Sequence, residues 1–532
     1  MSAQTLNTIA RSQAETLGEQ TAFLNPYRRW SYRDVDEASN RVAQGLKSLG
    51  IGRGDRVATL TRHVVECLVL TIAATKLQAV CMPVNWRLAP PEIDYILNNG
   101  EARFLMADRD FADALPKIPA ATGIKKVLTE DGPPLGDLES FSDWYGRFDN
   151  VDTGYAGDPD EPALQLYSSG TTGRPKGIEL SHRNLIANAT NFQVEFQYYG
   201  ATADRPGDVQ LNALPCFHVA GIGVAIITLL HGGSQIVRDT FVPADVLQAI
   251  QDHGITHAFL VPAMIHALLM QPDIDKYDLS SLKCISYGAS PITDRVLTEA
   301  MQRFKCRFMQ VYGLTETSGA ICCLGSADHD PNGPRSYLLR SAGKPGQGVG
   351  LRVVDTATMK DVAEGEVGEI WIHSDQNMIG YWRNPEATAA AFPEGRKKGD
   401  FGWFRTGDAG YLRDGYLFIH DRIKDMIITG GENVYPAEVE NVLMQHPAVA
   451  DGAIIGVPDE RWGEAVKACV TLRPGAEATG QDIIDFMRER IAHYKCPKTV
   501  DILDALPRNP SGKLLKFVLR QPYWEGRGRA VN

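Results

Sequence analysis

One segment of the chain combines the residue types that hold phosphate groups. It reads Tyr167-Ser-Ser-Gly-Thr-Thr-Gly-Arg-Pro-Lys-Gly177, with four Ser and Thr hydroxyls and three glycines in eleven residues. Its N–H and O–H donors can surround phosphate oxygens, and Lys176 adds a positive charge. It is not a P-loop, because Pro175 stands where the last glycine belongs and no Ser or Thr follows Lys176. The predicted phosphate contacts are Ser168, Ser169, Gly170, Thr171, Thr172, Gly173 and Lys176.

Two further segments follow predicted strands and end in glycine-containing turns. Tyr312 offers a flat ring for stacking on a base, and Gly288-Ala289-Ser290 is small enough to form the opposite wall. Open α/β sheets bind ligands at the carboxyl ends of their strands, so both turns are candidate site loops. The alternative for Tyr312 is an ordinary core aromatic.

The elements that must position these loops alternate between strand and helix. Residues 55–60 and 79–84 fit strands, and residues 64–77 between them fit a helix, which is typical of an α/β fold with largely parallel strands. The same alternation returns over residues 164–325. Residues 342–419 are rich in strand patterns and predict a small β-subdomain. Residues 130–160, rich in Gly, Pro and acidic residues, predict a surface connection.

Composition excludes several function classes. The net charge of −11 leaves no broad basic face for nucleic acid. The nine cysteines are odd in number and form no C-x-x-C, which favours reduced thiols in a cytoplasmic protein over disulfides or zinc. No secretory signal is apparent at the amino terminus. The longest apolar run, Val219–Leu230, is too short to span a bilayer and predicts a buried helix.

The phosphate-binding segment resembles the signature of the adenylate-forming superfamily, which includes acyl- and aryl-CoA synthetases, luciferases and the adenylation domains of peptide synthetases. Further segments resemble other motifs of that superfamily in the expected order, and the resemblance runs from about residue 10 to 520. The other motifs are Val311-Tyr-Gly-Leu-Thr-Glu316, Trp403-Phe-Arg-Thr-Gly-Asp408, the hinge motif Asp421–Pro436 and the lysine motif Pro507-Arg-Asn-Pro-Ser-Gly-Lys513.

The resemblance implies an ATP site. Thr315 would contact the α-phosphate, and Glu316, with Thr171, would bind Mg²⁺, a cation that needs only one or two carboxylates beside phosphate oxygens. Asp408 and Arg422 would bind the ribose. Lys513 would contact the attacking carboxylate and the α-phosphate, where charge develops during adenylation.

The resemblance also implies two domains and a rotation between half-reactions. Residues 1–421 would form the adenylation domain, 422–425 the hinge around Lys424, and 426–532 a small mobile α+β domain. Rotation would withdraw Lys513 and present a second face, including Gly430-Gly431-Glu432, to a thiol tunnel.

Three positions bear on the thiol and the acid. Trp462 matches a position where some aryl-CoA ligases stack the CoA adenine, and Lys498 matches a lysine near the CoA phosphates. Cys496 stands where some relatives carry arginine, which puts that phosphate contact in doubt. His218 would border the acyl site and gate access to it. Partly buried or structural roles are the alternatives for Trp462 and His218.

The predicted function is therefore AMP-forming ligation of a carboxylic acid to coenzyme A. The apolar run after His218 and the glycines Gly288, Gly313 and Gly319 favour a hydrophobic acid, and no Asp is present there to bind an amino group. The hinge motif is most similar to that of bacterial fatty acyl-CoA synthetases, which favours a medium- or long-chain fatty acid. Aromatic or alicyclic acids, and transfer to a carrier-protein thiol, stay open. Luciferase-like oxidation and ATP sensing without catalysis are weaker alternatives, and a homodimer is compatible with the sequence.

Overall fold

The computed structural model describes residues 4–129, 131, 133–168, 175–202, 205–290, 292–397, 400–422, 425–429, 432–508 and 514–525, without the side chains of residues 421, 422 and 433. The chain divides into two compact units. The first comprises Met1–Gly350 with Ile372–Phe404, and the second comprises Leu351–Trp371 with Arg405–Asn532. Residues within each unit contact one another more than they contact the other unit. The predicted domain boundary at residues 421–425 stays a prediction.

The helices are α1 Leu6–Leu17, α2 Tyr32–Ser48, α3 Val64–Thr75, α4 Pro90–Asn99, α5 Phe141–Gly146, α6 His182–Asn191, α7 Gln193–Phe196, α8 Val219–His231, α9 Pro243–His253, α10 Pro262–Leu269, α11 Asp294–Phe304, α12 Pro385–Ala391, α13 Pro436–Leu443, α14 Gly480–Arg488 and α15 Lys516–Trp524. The strands are β1 Thr21–Leu24, β2 Arg29–Ser31, β3 Arg56–Leu60, β4 Val80–Pro83, β5 Ala102–Ala107, β6 Lys125–Leu128, β7 Pro162–Ser168, β8 Lys176–Ser181, β9 Val209–Asn212, β10 Ser234–Val237, β11 His257–Leu260, β12 Cys284–Gly288, β13 Arg307–Leu314, β14 Gly319–Leu324, β15 Lys344–Pro345, β16 Gly350–Val354, β17 Gly368–His373, β18 Gly380–Tyr381, β19 Trp403–Arg413, β20 Tyr416–Arg422, β21 Ile427–Thr429, β22 Glu432–Val434, β23 Val449–Asp459, β24 Gly463–Leu472 and β25 Thr499–Ile502.

The first unit contains two sheets. One has nine strands in the order β15-β14-β13-β12-β11-β9-β10-β1-β2, and the other has seven in the order β18-β8-β7-β4-β3-β5-β6. The interior strands of both sheets pair in parallel, and antiparallel strands occupy the edges at β2, β14, β8 and β18. The predicted α/β class with largely parallel strands is confirmed.

Two apolar helices form much of the core of the first unit. Helix α3 is apolar around nearly its whole circumference, and all of its residues except Glu66 are buried. It contacts β3, β4 and β7 of the seven-stranded sheet and packs against α8, which contacts β9 and β10 of the nine-stranded sheet. A helix without a polar face is expected in such a position. The predicted helix at Val219–Leu230 is confirmed as α8, and no helix among the described residues is long and apolar enough to cross a membrane.

The prediction that residues 130–160 form only a surface connection is wrong. The segment contains α5, whose first turn is capped by Ser140, because the Ser140 side chain accepts a hydrogen bond from the Asp143 backbone N–H. Phe141 and Trp144 are buried in the main core, and the Trp144 ring lies tilted against that of Phe104, with 5.0 Å between ring centroids. Burial of three aromatic residues in this short helix holds the segment against the core, although the residues around them are mostly polar.

The second unit holds the β-rich segment and the carboxyl-terminal elements. A four-stranded sheet, β16-β17-β19-β20, lies mainly in this unit and agrees with the predicted β-subdomain. A five-stranded sheet contains β22-β21-β24-β23, with β25 paired to β24, and its core includes residues of α13 and α14. Helix α14 ends at Arg488, and α15 lies near the end of the described residues.

Candidate active site

The base of the predicted phosphate loop is an antiparallel hairpin. Ser168 at the end of β7 faces Lys176 at the start of β8. Gly177 is required beside it, because a Cβ there would lie 2.8 Å from Gln165 Nε2 and 3.1 Å from Trp382 Cβ. The hairpin therefore fixes both ends of the loop. Ser169, Gly170, Thr171, Thr172 and Gly173 lie outside the described residues.

Tyr381 joins the predicted cationic and acidic groups of the site. Its ring centroid lies 5.1 Å from Lys176 Nζ, and its hydroxyl donates a hydrogen bond of 3.2 Å to Glu316 Oε1. Tyr381 is held in place because β18 pairs with β8, with Tyr381 opposite Ile178. Lys176 begins β8 of the seven-stranded sheet, whereas Glu316 lies in the turn between β13 and β14 of the nine-stranded sheet, 140 residues away by their numbering. The fold brings both to one aromatic ring.

The turn that carries Thr315 and Glu316 is braced from two sides. The turn Thr315–Thr317 is a single 3₁₀ turn, in which the Leu314 N–H donates to Thr317 Oγ1 at 2.9 Å. The Met378 N–H donates to the Glu316 carbonyl at 2.8 Å. Gln376, which is buried, donates from Nε2 to the Thr317 and Ala320 carbonyls at 3.2 and 2.7 Å. These bonds fix the backbone from which Glu316 projects.

The predicted wall for the base lies at the ends of neighbouring strands. Gly288 ends β12 and pairs in register with Val311 of β13, one residue before Tyr312. A Cβ on Gly288 would lie 2.3 Å from the Val311 carbonyl oxygen, so only glycine fits. Ala289 follows with φ of +67°, in the left-handed region, and turns the chain before Ser290. Gly288–Ser290 and Tyr312 therefore lie at the ends of neighbouring strands, and their role as two walls around a base stays a prediction.

Gly313 is also set by a close approach. A Cβ there would lie 1.8 Å from the Gly319 carbonyl oxygen on the antiparallel strand β14. Gly319 itself has φ of +129°, and its backbone lies against the Asn188 side chain. At Gly313 and Gly319, the space that a side chain would fill is therefore occupied by backbone and side-chain atoms.

His218 precedes the first turn of α8. Its ring lies 4.5 Å from that of Phe217, centroid to centroid, and its Nε2 is buried without a hydrogen-bond partner among the described residues. Burial, with a smaller contribution from the nearby Arg87 charge, lowers the pKa of His218 to about 4. The imidazole is therefore neutral at pH 7.

The second unit carries the two predicted ribose contacts. Asp408 on β19 and Arg422 on β20 are directly opposite in the antiparallel ladder. Asp408 is only 5% exposed, and its N–H donates to Thr406 Oγ1 at 3.0 Å. The side chain of Arg422 lies outside the description. The backbone pairing alone makes these two positions neighbours.

A basic and aromatic cluster lies elsewhere in the second unit. Trp462 is 41% exposed, and its ring is approached by Lys498 Nζ at 5.5 Å and by the Arg461 guanidinium at 4.7 Å. The Asp459 carboxylate contacts both Lys498 and Trp462. It pairs with Lys498 at 3.0 Å and accepts a hydrogen bond from the Trp462 backbone N–H at 3.0 Å. The hydrogen bond from Lys498 lowers the pKa of Asp459. Such a cluster suits a ring and an anion together.

Cys496 does not belong to that cluster's exposed surface. It is 4% exposed and packs in the core of the five-stranded sheet, which includes Ile427, Val466 and Met487. Burial raises the pKa of its thiol. The doubt about a phosphate contact at this position is thus supported by its burial. Lys424, Gly430, Gly431 and Lys513 lie outside the described residues.

The residues around Glu316 fit a magnesium ion bound together with a nucleotide. Within the described ranges, no group of three or more His, Cys, Asp or Glu side chains is arranged to hold a metal ion. A cation beside Glu316 would therefore take most of its ligands from phosphate oxygens and water, which is the usual coordination of Mg²⁺ at nucleotides.

Sequence reasoning missed Tyr381 and Gln376. Both lie in the segment Ser374-Asp-Gln-Asn-Met-Ile-Gly-Tyr-Trp382, where polar residues run directly into a Gly-Tyr-Trp sequence. That polar-to-aromatic change is a signal that could have been noticed. The hydrogen-bond partners of these residues could not be predicted from the sequence, because 59 residues separate Gln376 from Thr317 and 65 separate Tyr381 from Glu316.

Two family descriptions match the chain. The AMP-binding enzyme family matches residues 10–382, and the AMP-binding enzyme C-terminal domain matches residues 438–513. The first match alone covers well over half of the chain.

Curated relatives align over nearly the whole length. A fatty acid–[acyl-carrier-protein] ligase, ScoC, of Streptomyces coeruleorubidus is 38% identical over 99% of this chain and 100% of that protein. A long-chain-fatty-acid–CoA ligase, FadD13, of Mycobacterium tuberculosis (strain ATCC 25618 / H37Rv) is 34% identical over 97% and 98%. A feruloyl-CoA synthase of an Amycolatopsis species is 36% identical over 93% and 94%.

Solved structures agree with the sequence matches. ATP-bound MatB from Rhodopseudomonas palustris superposes with a TM-score of 0.85 at 30% identity, covering 99% of this chain and 100% of that one. A Mycobacterium tuberculosis fatty acyl CoA synthetase superposes with a TM-score of 0.76 at 31% identity, covering 98% and 99%. The chain therefore belongs to the AMP-binding family of adenylate-forming enzymes, within which it is similar over its whole length to AMP-forming acid:CoA ligases.

Proposed function

We propose that this enzyme joins a medium- or long-chain fatty acid to coenzyme A in two steps. In the first, a carboxylate oxygen bonds to the α-phosphorus of ATP, and the bond from that phosphorus to the bridging oxygen of pyrophosphate breaks. In the second, the thiol of CoA attacks the acyl carbon, AMP leaves, and the thiol proton is released. The observation that carries the proposal is the convergence of Lys176 and Glu316 on Tyr381.

The first step depends on charge held in place before the reaction begins. Lys176 and the loop of residues 168–173 would bind the phosphates, and Thr315 would contact the α-phosphate. Glu316 would hold Mg²⁺, which neutralises charge on the phosphate oxygens when bound. Tyr381 fixes the orientation of the Glu316 carboxylate. Lys513 would then stabilise the charge that develops between carboxylate and phosphorus.

The nucleoside would be bound by groups that differ in chemistry. Tyr312 would stack on the adenine, with Gly288, Ala289 and Ser290 forming the other wall. Asp408 would accept hydrogen bonds from ribose hydroxyls, and Arg422 would donate to the same sugar. The close backbone contact at Gly288 supports this assignment, because it leaves a wall without side-chain bulk.

The second step would use a different face of the carboxyl-terminal domain. Rotation about Lys424 would withdraw Lys513 and bring Gly430 and Gly431 to the thiol tunnel. Trp462 and Lys498 would bind the nucleotide portion of CoA, and their mutual contact at 5.5 Å supports a shared ligand. An adenine ring would stack on Trp462 while Lys498 neutralises a phosphate.

The acid is inferred from the apolar surroundings of His218. Helix α8, which begins directly after His218, is apolar along most of its length, and the imidazole itself is neutral. Relatives named as ligases of fatty acids support an aliphatic acid, and the feruloyl-CoA synthase supports an aromatic acid as the alternative. The fatty acid–[acyl-carrier-protein] ligase keeps a carrier-protein thiol as the alternative acceptor.

The experiment is a two-stage assay with a panel of short, medium, long and aromatic acids. Acid-dependent exchange of pyrophosphate into ATP measures adenylation, and thioester formation with CoA or with a phosphopantetheinylated carrier protein identifies the acceptor. We expect exchange with aliphatic acids and a thioester with CoA. Folded enzyme that exchanges no pyrophosphate with any acid would contradict the proposal.

Two substitutions separate the half-reactions. Lys513→Ala should abolish adenylation while leaving thioester formation from a supplied acyl-adenylate largely intact. Lys424→Pro should do the reverse, because it restricts the hinge. Parallel loss of both steps in either variant would refute this division of roles.

The enzyme is also proposed to be cytoplasmic, which is supported by nine cysteines that are all free. Homodimer formation is a further part of the proposal, and light scattering on the purified enzyme tests it.

A further inference from the structure

Three asparagines on one face of α6 contact a short segment that lies beside the candidate site. Asn184, Asn188 and Asn191 are spaced four and three residues apart, so their side chains project from the same side of the helix. Asn184 Nδ2 donates to the Asp375 carbonyl at 2.7 Å, and Asn191 Nδ2 donates to Gln376 Oε1. Asn188 Oδ1 accepts a hydrogen bond from Gln376 Nε2 at 3.4 Å. The polar face of α6 therefore holds this segment.

Helix α6 continues without a break from the strand that begins at Lys176. Strand β8 ends at Ser181, and Ser181 caps α6. Its side chain accepts a hydrogen bond from the Asn184 N–H, and Asn184 Oδ1 accepts one from the Ser181 N–H at 2.8 Å. The helix that carries the three asparagines is thus fixed, at its first turn, to the strand whose other end faces the phosphate loop.

Gln376 connects this helix to the turn that carries Glu316. Its side chain is only 1% exposed, and Nε2 donates to the Ala320 carbonyl at 2.7 Å and to the Thr317 carbonyl at 3.2 Å. The orientation of the amide follows from Asn191, because a donor at Oε1 leaves the amide nitrogen to face the two carbonyls. Removal of either amide would therefore release the same backbone.

The end of that turn has a conformation that a side chain disfavours. Ser318 is buried and has φ of +55°, in the left-handed region that residues other than glycine seldom adopt. Gly319 follows with φ of +129°, and a Cβ there would lie 2.5 Å from Asn188 Oδ1. Ser318 Oγ donates to the Gln376 carbonyl at 2.9 Å. Such a conformation persists where surrounding contacts determine it, and these contacts come from Gln376 and from α6.

We propose that Gln376 and Asn191 are positioning residues for the turn that carries Glu316. Asn191 orients the Gln376 amide, and Gln376 holds the turn where the Glu316 carboxylate can meet a cation bound together with the nucleotide. The strand of Lys176 and the turn of Glu316 are thereby held against the same helix. This inference rests on the proposed role of Glu316 as a Mg²⁺ ligand. Both residues act through the backbone of the turn rather than on the reacting atoms.

A purely structural role for this network leads to a different expectation. Loss of structural support would lower the amount of folded enzyme and leave the Mg²⁺ requirement of the folded molecules unchanged. Loss of positioning would weaken the use of Mg²⁺ by folded enzyme, because the carboxylate would no longer be directed at the cation. Misplacement of a catalytic group by about 1 Å can cost on the order of 100-fold in rate. The turn keeps its other contact, from the Met378 N–H, so we expect a smaller loss of about 10-fold at limiting Mg²⁺.

The test uses the full-length enzyme with Gln376→Met, Asn191→Leu and the double variant, which remove one or both amides and keep similar side-chain size. Asn377→Leu is the matched control. Asn377 is adjacent in sequence and fully buried, and it donates to the carbonyls of Ile372 and Gly402 at 2.9 Å each. Each variant is measured for melting temperature, for pyrophosphate exchange as a function of Mg²⁺ concentration, and for ATP affinity by calorimetry without the acid, in the presence and absence of Mg²⁺.

We expect Gln376→Met and Asn191→Leu to lose about 10-fold in exchange at limiting Mg²⁺ and to recover most of that loss at saturating Mg²⁺, with an unchanged KM for the acid. Calorimetry should show a smaller increase in ATP affinity on addition of Mg²⁺. The double variant should resemble Gln376→Met, because the effects of residues in contact are not additive. Asn377→Leu should lower the melting temperature and keep the wild-type Mg²⁺ dependence.

Three results would overturn the inference: wild-type Mg²⁺ dependence in folded Gln376→Met, the same change in Asn377→Leu, or losses that multiply in the double variant. If a single variant does not fold, the double variant is judged by its Mg²⁺ dependence, since removing both hydrogen-bonding partners together is less destabilising than leaving one unpaired. Wild-type exchange that does not depend on Mg²⁺ would instead refute the proposed role of Glu316, and wild-type enzyme without any exchange would refute the proposed function.

Discussion

Replacing Tyr381 with phenylalanine removes one hydroxyl from the candidate site and leaves the aromatic ring beside Lys176. The hydroxyl donates to Glu316 Oε1 at 3.2 Å, and the ring centroid lies 5.1 Å from Lys176 Nζ. The substitution removes the contact to the carboxylate and keeps the ring. The substitution therefore tests whether the orientation of Glu316 matters for adenylation, without altering the surroundings of the lysine.

The size of the effect follows from the type of bond. A hydrogen bond to a charged group contributes about 1.5–3 kcal/mol, and the length of this one places it at the lower end. A loss of about 1.4 kcal/mol corresponds to roughly tenfold in rate. We expect acid-dependent pyrophosphate exchange to fall about tenfold, with a higher Mg²⁺ concentration needed for half-maximal rate, because the carboxylate is less well oriented toward the cation.

Double-substitution analysis isolates the contact. Glu316→Gln should lower exchange by itself, and adding Tyr381→Phe should then cost much less than tenfold, because residues in contact are not additive. Tyr155→Phe is the matched control. Its hydroxyl donates to Glu161 at 2.7 Å, a bond of the same kind outside the site, and its loss should leave exchange unchanged. Wild-type Mg²⁺ dependence in Tyr381→Phe, or strict additivity with Glu316→Gln, would refute the reasoning.

Three further predictions concern separate parts of the molecule. Gly288→Ala would place a Cβ 2.3 Å from the Val311 carbonyl oxygen, so β12 and β13 must shift, and we expect a loss of about 1–3 kcal/mol in stability together with weaker ATP binding, measured by denaturation and calorimetry. Burial lowers the pKa of His182 to about 4, and its Nδ1 accepts a hydrogen bond from the Leu6 backbone N–H. The unfolded chain, in which the pKa of this histidine is about 6.5, therefore binds the proton at higher pH than the folded protein does, so the free energy of unfolding should fall from pH 6.5 toward pH 4. His182→Gln should flatten this pH dependence in urea titrations. Trp462→Ala should raise KM for CoA about 10-fold or more without changing pyrophosphate exchange, and an equal change in exchange would contradict a CoA contact.

The parts of the site that the sequence could predict are those where chemistry is local. Lys176 lies within a loop of hydroxyls and glycines, so residue types and spacing predict a phosphate contact there, whereas the role of Glu316 is implied only by the resemblance to the adenylate-forming superfamily. Gly288 was predicted as a small wall residue from its residue type. The structure adds the physical requirement, a backbone oxygen of the neighbouring strand too close for any side chain.

The parts that could not be predicted depend on contacts between distant segments. Tyr381 gains its role only because β18 pairs with β8 and thereby meets the turn of Glu316. Likewise, α5 was hidden because its three buried aromatic residues stand among polar and turn-forming ones. Arg520 and Asp425 form an ion pair although nearly a hundred residues separate them, and the residues next to either one do not indicate this pairing.

The burial of Cys496 restricts how the acceptor preference of this enzyme could be re-engineered. An arginine at this position, which some relatives carry, would place a permanently charged group in an apolar interior. Burying that charge without a partner would destabilise the five-stranded sheet. Under the proposed function, changes in acceptor choice belong on solvent-facing positions around Trp462, where added charges stay hydrated.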